Sequence, residues 1–290
     1  MIESPSLKYV LATFFAVLGV AVCSAQDAAA PMITLLVDES QAARKLAFVH
    51  EEIRVQPGEL VLAYPLWIPG EHGPTGPVQQ FANLRVRAGN TALPWTRDPI
   101  EIATIHVDVP ANTHSISVDF ETLMENTVSD HQLLLAWNTV VLYPRGIDKT
   151  ELMIQPSVFL PPSWKQASSL QLTGQSGERV SFAPISLERL IDSPVLAGDF
   201  LRIIPLSSSW PAELDVTGDS QAAIDKVDDV HAVDIFTRLI DQDRAMFGYR
   251  HWPKMHILVS QSEARPYDGL EHEDSPYNAI EDAGLSKKMN

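Results

Sequence analysis

Cysteine is almost missing from this chain: its 290 residues contain one, Cys23. No disulfide can form within it, and no thiolate metal cluster can be built. Positive charge is also scarce, with 21 Lys and Arg against 37 Asp and Glu and a formal net charge of −16. Such a field repels phosphate backbones and anionic lipid surfaces, which argues against nucleic acid as a partner. Long apolar runs are lacking too. The one candidate, Tyr9 to Val22, is shorter than the roughly 20 residues that cross a bilayer.

Familiar chemical motifs are equally sparse. There is no G-x-S-x-G elbow, phosphate-cradling glycine loop or dinucleotide fingerprint. Nine histidines invite a search for zinc ligands, which on a helix take the form H-E-x-x-H. His50-Glu51-Glu52-Ile53-Arg54 starts correctly but places Arg54 where the second imidazole is needed. His272-Glu273-Asp274-Ser275-Pro276 fails likewise, and Pro276 opposes a continuing helix. His251 and His256 lie five residues apart, in or beside a strand, which is no ligand spacing. Each histidine therefore reads as a surface or internally satisfied side chain, and neither a catalytic residue nor a metal ligand is assigned. The carboxylate pairs Glu51-Glu52 and Asp228-Asp229 read as solvated surface.

What is present begins with a charged residue, Lys8, then the apolar run, then Cys23-Ser24-Ala25. This is the layout of a signal peptide over residues 1–25, cleaved before Gln26. Cleavage would remove the only thiol; a lipid-anchored Cys23 fits less well because Val22 stands where a small residue is needed, and an uncleaved anchor is the other alternative. The expectation is export to the periplasm or beyond, with no stable membrane insertion after cleavage.

From about Ile33 to Phe200 the pattern is mostly β. Ala103, Ile105, Val107 and Val109 alternate with polar residues, as do Ile116, Val118 and Phe120. The break Pro110 to His114 between them predicts a hairpin. Further strands are expected at Leu46 to Val55, Leu60 to Leu66, Leu133 to Leu142 and Leu152 to Leu160, and short strands between Pro- and Gly-containing turns predict a sandwich. After Asp192-Ser193-Pro194 the texture changes. Ile224, Val227, Ile235, Leu239 and Met246 fall on one face of a helix between Ser220 and Phe247, with Asp219 or Ser220 as cap and Gly248 as terminator. A strand, Met255 to Val259, follows. Beyond it, Tyr267-Asp268-Gly269-Leu270-Glu271-His272-Glu273-Asp274-Ser275 places a glycine beside carboxylates that could meet an ammonium group, although an ordinary acidic loop has the same composition.

Two separated stretches resemble the glycyl aminopeptidases, thermolysin-like zinc metallopeptidases of family 61. One is Pro65-Leu66-Trp67-Ile68-Pro69-Gly70 with Phe81-Ala82-Asn83-Leu84 and Gly89 to Trp95, similar to the family's N-terminal domain and its P-x-W-x-P-G motif. The other is Gly269-Leu270-Glu271-His272 with Ser275, similar to the G-G-L-E-H-x-x-S segment of the catalytic domain. Asp268 replaces that segment's first glycine. Asp192-Ser193-Pro194-Val195 resembles the join.

The resemblance implies a mainly β protein. An N-terminal β-sandwich, residues 26–195, would be followed over 196–290 by the incomplete start of an α/β thermolysin-like catalytic domain. It implies peptide substrates and zinc for the full-length family, with no cofactor expected for this chain, because the H-E-x-x-H helix comes after the matched segment. Gly269, Leu270, Glu271 and His272 become the implied substrate-binding residues, with Glu271 meeting a free α-amine. On this reading the chain is a fragment without activity of its own. The alternatives are a non-enzymatic exported binding module built on the sandwich, or a β-rich structural protein.

Overall fold

The computed structural model describes residues 32–124, 129–206, 209–262, 267–281 and 284–286. The expected signal peptide lies outside them. The described chain is mainly β, and its first part is a sandwich. A nine-stranded sheet centres on Ile33–Asp38, which pairs antiparallel with Leu46–Arg54 on one side and parallel with Met153–Phe159 on the other. Leu46–Arg54 continues the sheet to Ser115–Leu123, and that strand to Phe81–Ala88. A four-stranded sheet contains Gly58–Ala63, Trp95–Arg97, Thr104–Val109 and Tyr143–Pro144. Inward residues of both sheets, among them Leu35, Val49, Ile116, Leu62 and Ile105, join one buried cluster with Trp137 and Phe182.

The period-two pattern is realised at Thr104–Val109 and Ser115–Leu123. The predicted hairpin between them is not. Thr104–Val109 pairs with Gly58–Ala63, whereas Ser115–Leu123 pairs with Leu46–Arg54, so residues 110–114 carry the chain from one sheet to the other. Each strand needs only one apolar face, and that local requirement leaves the partner open. The run Leu133 to Leu142 is likewise broken. Gln132–Leu135 is a strand of a three-stranded sheet with Val195–Gly198 and Lys165–Ala167, and Trp137–Thr139 is a short 3-10 turn. Glu51, read as surface, is fully buried: it shares the inward phase of Ala47, Val49 and Ile53 and accepts a hydrogen bond from Leu142 N at 3.0 Å. Its partner in the pair, Glu52, is exposed.

A five-stranded sheet follows, in the order Phe200–Pro205, Ala212–Gly218, Met255–Gln261, Tyr277–Ile280, Asp268–Leu270. Ala212–Gly218 and Met255–Gln261 run parallel, with helices Gln221–Asp225 and Asp229–Phe247 in the crossover. A parallel pair requires such a crossover. Leu214, Val216, Ile257 and Val259 meet Ile224, Val227, Ala232 and Ile240 on one face. On the other, Leu258 and Tyr277 meet Leu134 and Leu196.

The single predicted helix is two. Ser220 Oγ caps the first by accepting from Ala223 N, Asp228 caps the second, and Gly248 ends it at φ 67°. The interruption at Val227 and Asp228 resets the phase, so the predicted stripe holds for Ile224 and Val227 only. The longer helix buries Ala232 and Ile240, while Ile235, Leu239 and Met246 stay exposed.

Candidate functional site

The two motifs that carry the resemblance lie some 200 residues apart in sequence and meet in space. Pro69-Gly70 makes its turn with Gly70 at φ 84°, a left-handed conformation that side chains other than glycine rarely adopt. A Cβ at Gly70 would come within 2.7 Å of Leu270 Cδ1 and 3.3 Å of Glu271 Oε2. The backbone conformation calls for glycine, a Cβ would push the Leu270 side chain aside, and the turn closes against the Leu270-Glu271 end of the second motif.

Asp268–Leu270 is the last strand of the five-stranded sheet and pairs antiparallel with Tyr277–Ile280, Gly269 lying opposite Asn278. Its other edge has no strand partner among the described residues. A Cβ on Gly269 would meet only ordinary contacts, Asn278 Oδ1 at 3.5 Å and Tyr277 O at 3.7 Å. Packing within the chain therefore does not demand this glycine, and its small size leaves the open edge accessible. Asp268 Oδ1 accepts from Gly269 N at 2.9 Å, a bond the glycine usual at that place could not make.

Glu271 is exposed, and its carboxylate makes no hydrogen bond or ion pair among the described residues. His272 differs. It is buried, with Nδ1 at 2.9 Å from Asp192 Oδ1, and Asp192 Oδ2 accepts from Glu273 N at 3.1 Å. Its own N–H donates to Leu270 O at 3.1 Å. His272 thus ties the strand's end to Asp192, in the join motif, whereas Gly269 and Glu271 are exposed and Leu270 is half-buried.

Arg189, in helix Leu187–Ile191, adds ion pairs to Glu273 and Asp274. Burial raises the carboxyl pKa of Asp274, against the lowering effect of Arg189. Ser169 Oγ and Ser275 Oγ stand 3.1 Å apart. Sequence spacing did not reveal these anchors, because Asp192 and Arg189 reach the segment across roughly 80 residues.

A second cluster lies on the two central strands of the same sheet. His256 Nδ1 is 3.1 Å from Glu213 Oε1 and 3.1 Å from Asp215 Oδ2. These are the only His and carboxylate groups among the described residues whose donor atoms gather closely enough to hold a metal ion. They stand two and three strand positions from the edge strand, about 10–14 Å at ordinary strand spacing. Among the described residues no comparable group of His and carboxylate donors gathers at Asp268–Leu270 or at the Gly70 turn.

In fold, the chain is similar to the crystal structure of an aminopeptidase N family protein from Idiomarina loihiensis, with a TM-score of 0.77 at 18% identity over 89% of this chain and 44% of that one. It is also similar to yeast LTA4 hydrolase, as the native protein (TM-score 0.51, 12% identity, 85% and 40% covered) and in complex with bestatin (0.52, 11%, 85% and 39%). The chain spans less than half the length of these solved structures. No curated protein matches it. Residues 34–199, more than half of the chain, match the family model of the peptidase M61 N-terminal domain. The chain belongs to the peptidase M61 family.

Proposed function

We propose that this chain is the N-terminus-receiving portion of an exported zinc aminopeptidase. Residues 26–195 are its N-terminal domain, and residues 196–290 belong to its catalytic domain. The supporting observation is the unpaired Glu271 carboxylate beside the open edge of Asp268–Leu270, held against the Gly70 turn. An extended peptide can add to such an edge by main-chain hydrogen bonds. At its end, a carboxylate facing an ammonium gives a charge-assisted bond that an acylated terminus cannot make. His272 and Asp192 position Glu271 and do not meet substrate. The family resemblance, peptidase membership and aminopeptidase-like fold agree with this assignment.

No H-E-x-x-H occurs in the 290 residues, and no hydrolytic step is derived from the residues present. Binding is the property to test. Calorimetric titration with Gly-Ala-Ala and with its N-acetylated form should show binding of the free peptide alone, and Glu271→Gln should abolish the difference. Equal binding of both peptides by the unaltered chain would rule out the assignment of Glu271.

A further inference from the structure

The cluster on the central strands has a geometry that hydrogen bonding within the protein does not fully satisfy. Glu213 and His256 are register partners on adjacent parallel strands, and Asp215 lies two residues along on the same face. Their donor atoms all lie within 4.8 Å of one another. Nδ1 carries either one proton or one lone pair. With a proton, a single hydrogen is shared between two carboxylate oxygens at the same 3.1 Å distance. With a lone pair, three electron-rich atoms face one another. Positive charge at the point of convergence, from an imidazolium or from a bound cation, relieves either arrangement.

Neighbouring groups supply little of it. The ammonium of Lys254 is taken by Glu213 Oε2, the oxygen turned away from His256. Asp215 is fully buried, and its Oδ1 has no hydrogen-bond partner. An unpaired oxygen on a desolvated carboxyl is costly.

We propose that Glu213 Oε1, Asp215 Oδ2 and His256 Nδ1 form a binding site for a divalent cation of the zinc class. Zinc takes imidazole and carboxylate ligands at about 2.0–2.2 Å, so two donors of a tetrahedral site stand roughly 3.3–3.5 Å apart. The two 3.1 Å separations from Nδ1 fall a few tenths of an ångström short of this, and the carboxylate oxygens lie within 4.8 Å of each other. A nitrogen donor favours zinc over calcium or magnesium, which prefer oxygen alone. Glu213 and His256 remain partly exposed, which gives an entry path and room for a water as fourth ligand. The ion would displace the Nδ1 proton, join strands Ala212–Gly218 and Met255–Gln261, and neutralise Asp215. Its role is structural, away from the edge strand Asp268–Leu270, and it does not depend on peptide binding there.

The test is calorimetric titration of the whole chain with zinc chloride near pH 7.5, repeated with calcium chloride and with His256→Ala and Glu213→Gln. Circular dichroism would establish that both variants are folded. We expect one equivalent of zinc to bind, with proton release visible as a buffer-dependent enthalpy. Each variant should weaken binding by more than about a hundredfold, since losing even an outer-shell partner reaches that level. Cobalt(II) should give the intense visible bands of a tetrahedral site, lost in His256→Ala. Absence of stoichiometric zinc binding, undiminished binding in both folded variants, or calcium binding as tight as zinc would each overturn the proposal.

Discussion

The sandwich and the α/β unit dispose of apolar surface in different ways. In the sandwich, facing sheets bury their inward residues in one continuous cluster, with Trp137 and Phe182 ring to ring at 6.2 Å near its middle. Its exposed large apolar residues, such as Phe48, Ile100 and Leu172, are scattered over different elements. In the α/β unit, helix Asp229–Phe247 buries Ala232 and Ile240 but leaves Ile235, Leu239 and Met246 on an adjoining face in contact with water. A sheet covered by another sheet has no uncommitted inner face, whereas a helix packed on one side keeps a second side free. Mutations should separate the two regions sharply. Trp137→Ala removes a fully buried ring and its Nε1 bond to Ser193 O, and should cost about 3–5 kcal/mol. Leu239→Ala, on the exposed helix face, should stay within about 0.5 kcal/mol. Denaturant unfolding of both variants checks this, and a comparable loss at Leu239 would erase the contrast.

Both regions bury carboxyls, Asp215 beside His256 being the example in the α/β unit. The sandwich hides two carboxyls, Glu39 and Glu51, with little to compensate them; both oxygens of Glu39 are without hydrogen-bond partners. Burial, reinforced by Asp38, pushes the pKa of Glu39 from 4.5 up to about 8. The folded state therefore holds a proton that the unfolded state releases above pH 4.5, and the sandwich should lose stability as pH rises from there toward 8. The slope is about 1.4 kcal/mol per pH unit for one such group. Glu39→Gln should flatten it in chemical denaturation series at pH 5 to 8. An unchanged pH dependence would show that Glu39 is not the responsible group.

Where one side chain pattern decides the structure, the sequence was sufficient. Alternation gave the strands near Thr104–Val109 and Ser115–Leu123, and Ser220 and Gly248 marked helix ends correctly. Choices made between distant segments were not legible. The strand pairing that replaced the expected hairpin is one example, and the Asp192–His272 contact is another. The closeness of Glu213 and His256 is of the same kind: strand register brings them together across 43 residues, which spacing along the chain does not show. The candidate site was half legible. Both motifs stood out in the sequence, but their contact through Gly70 was hidden until the fold placed them.

That contact joins the two regions, and it can be strained by one methyl group. Gly70→Ala forces a side chain into φ 84° and against Leu270 Cδ1. The cost should be about 1–3 kcal/mol for the left-handed backbone. Leu270 and Glu271 should shift with it, lowering preference for the free peptide terminus in the same calorimetric titration. Gly73→Ala makes a control, since a Cβ there meets nothing within 4 Å. If both variants behave alike, the turn does not shape the site.

The smallest expected effect lies at Asp268, where the chain departs from the family's glycine. Asp268 Oδ1 holds the Gly269 N–H at 2.9 Å and adds negative charge to the edge strand. Asp268→Gly releases that N–H but frees the backbone as well, at a stability cost of about 0.5–1 kcal/mol. One recovered hydrogen bond is worth roughly 0.5–1.5 kcal/mol, so affinity for a free-amine tripeptide should rise by about tenfold at most. Asp268→Asn separates the two contributions, because it removes the charge while keeping the local bond and the backbone restriction. A gain in Asp268→Gly alone assigns the effect to the released N–H. A gain shared by both variants would assign it to charge, and the self-bonded Gly269 amide would then have no part in how the edge receives a peptide.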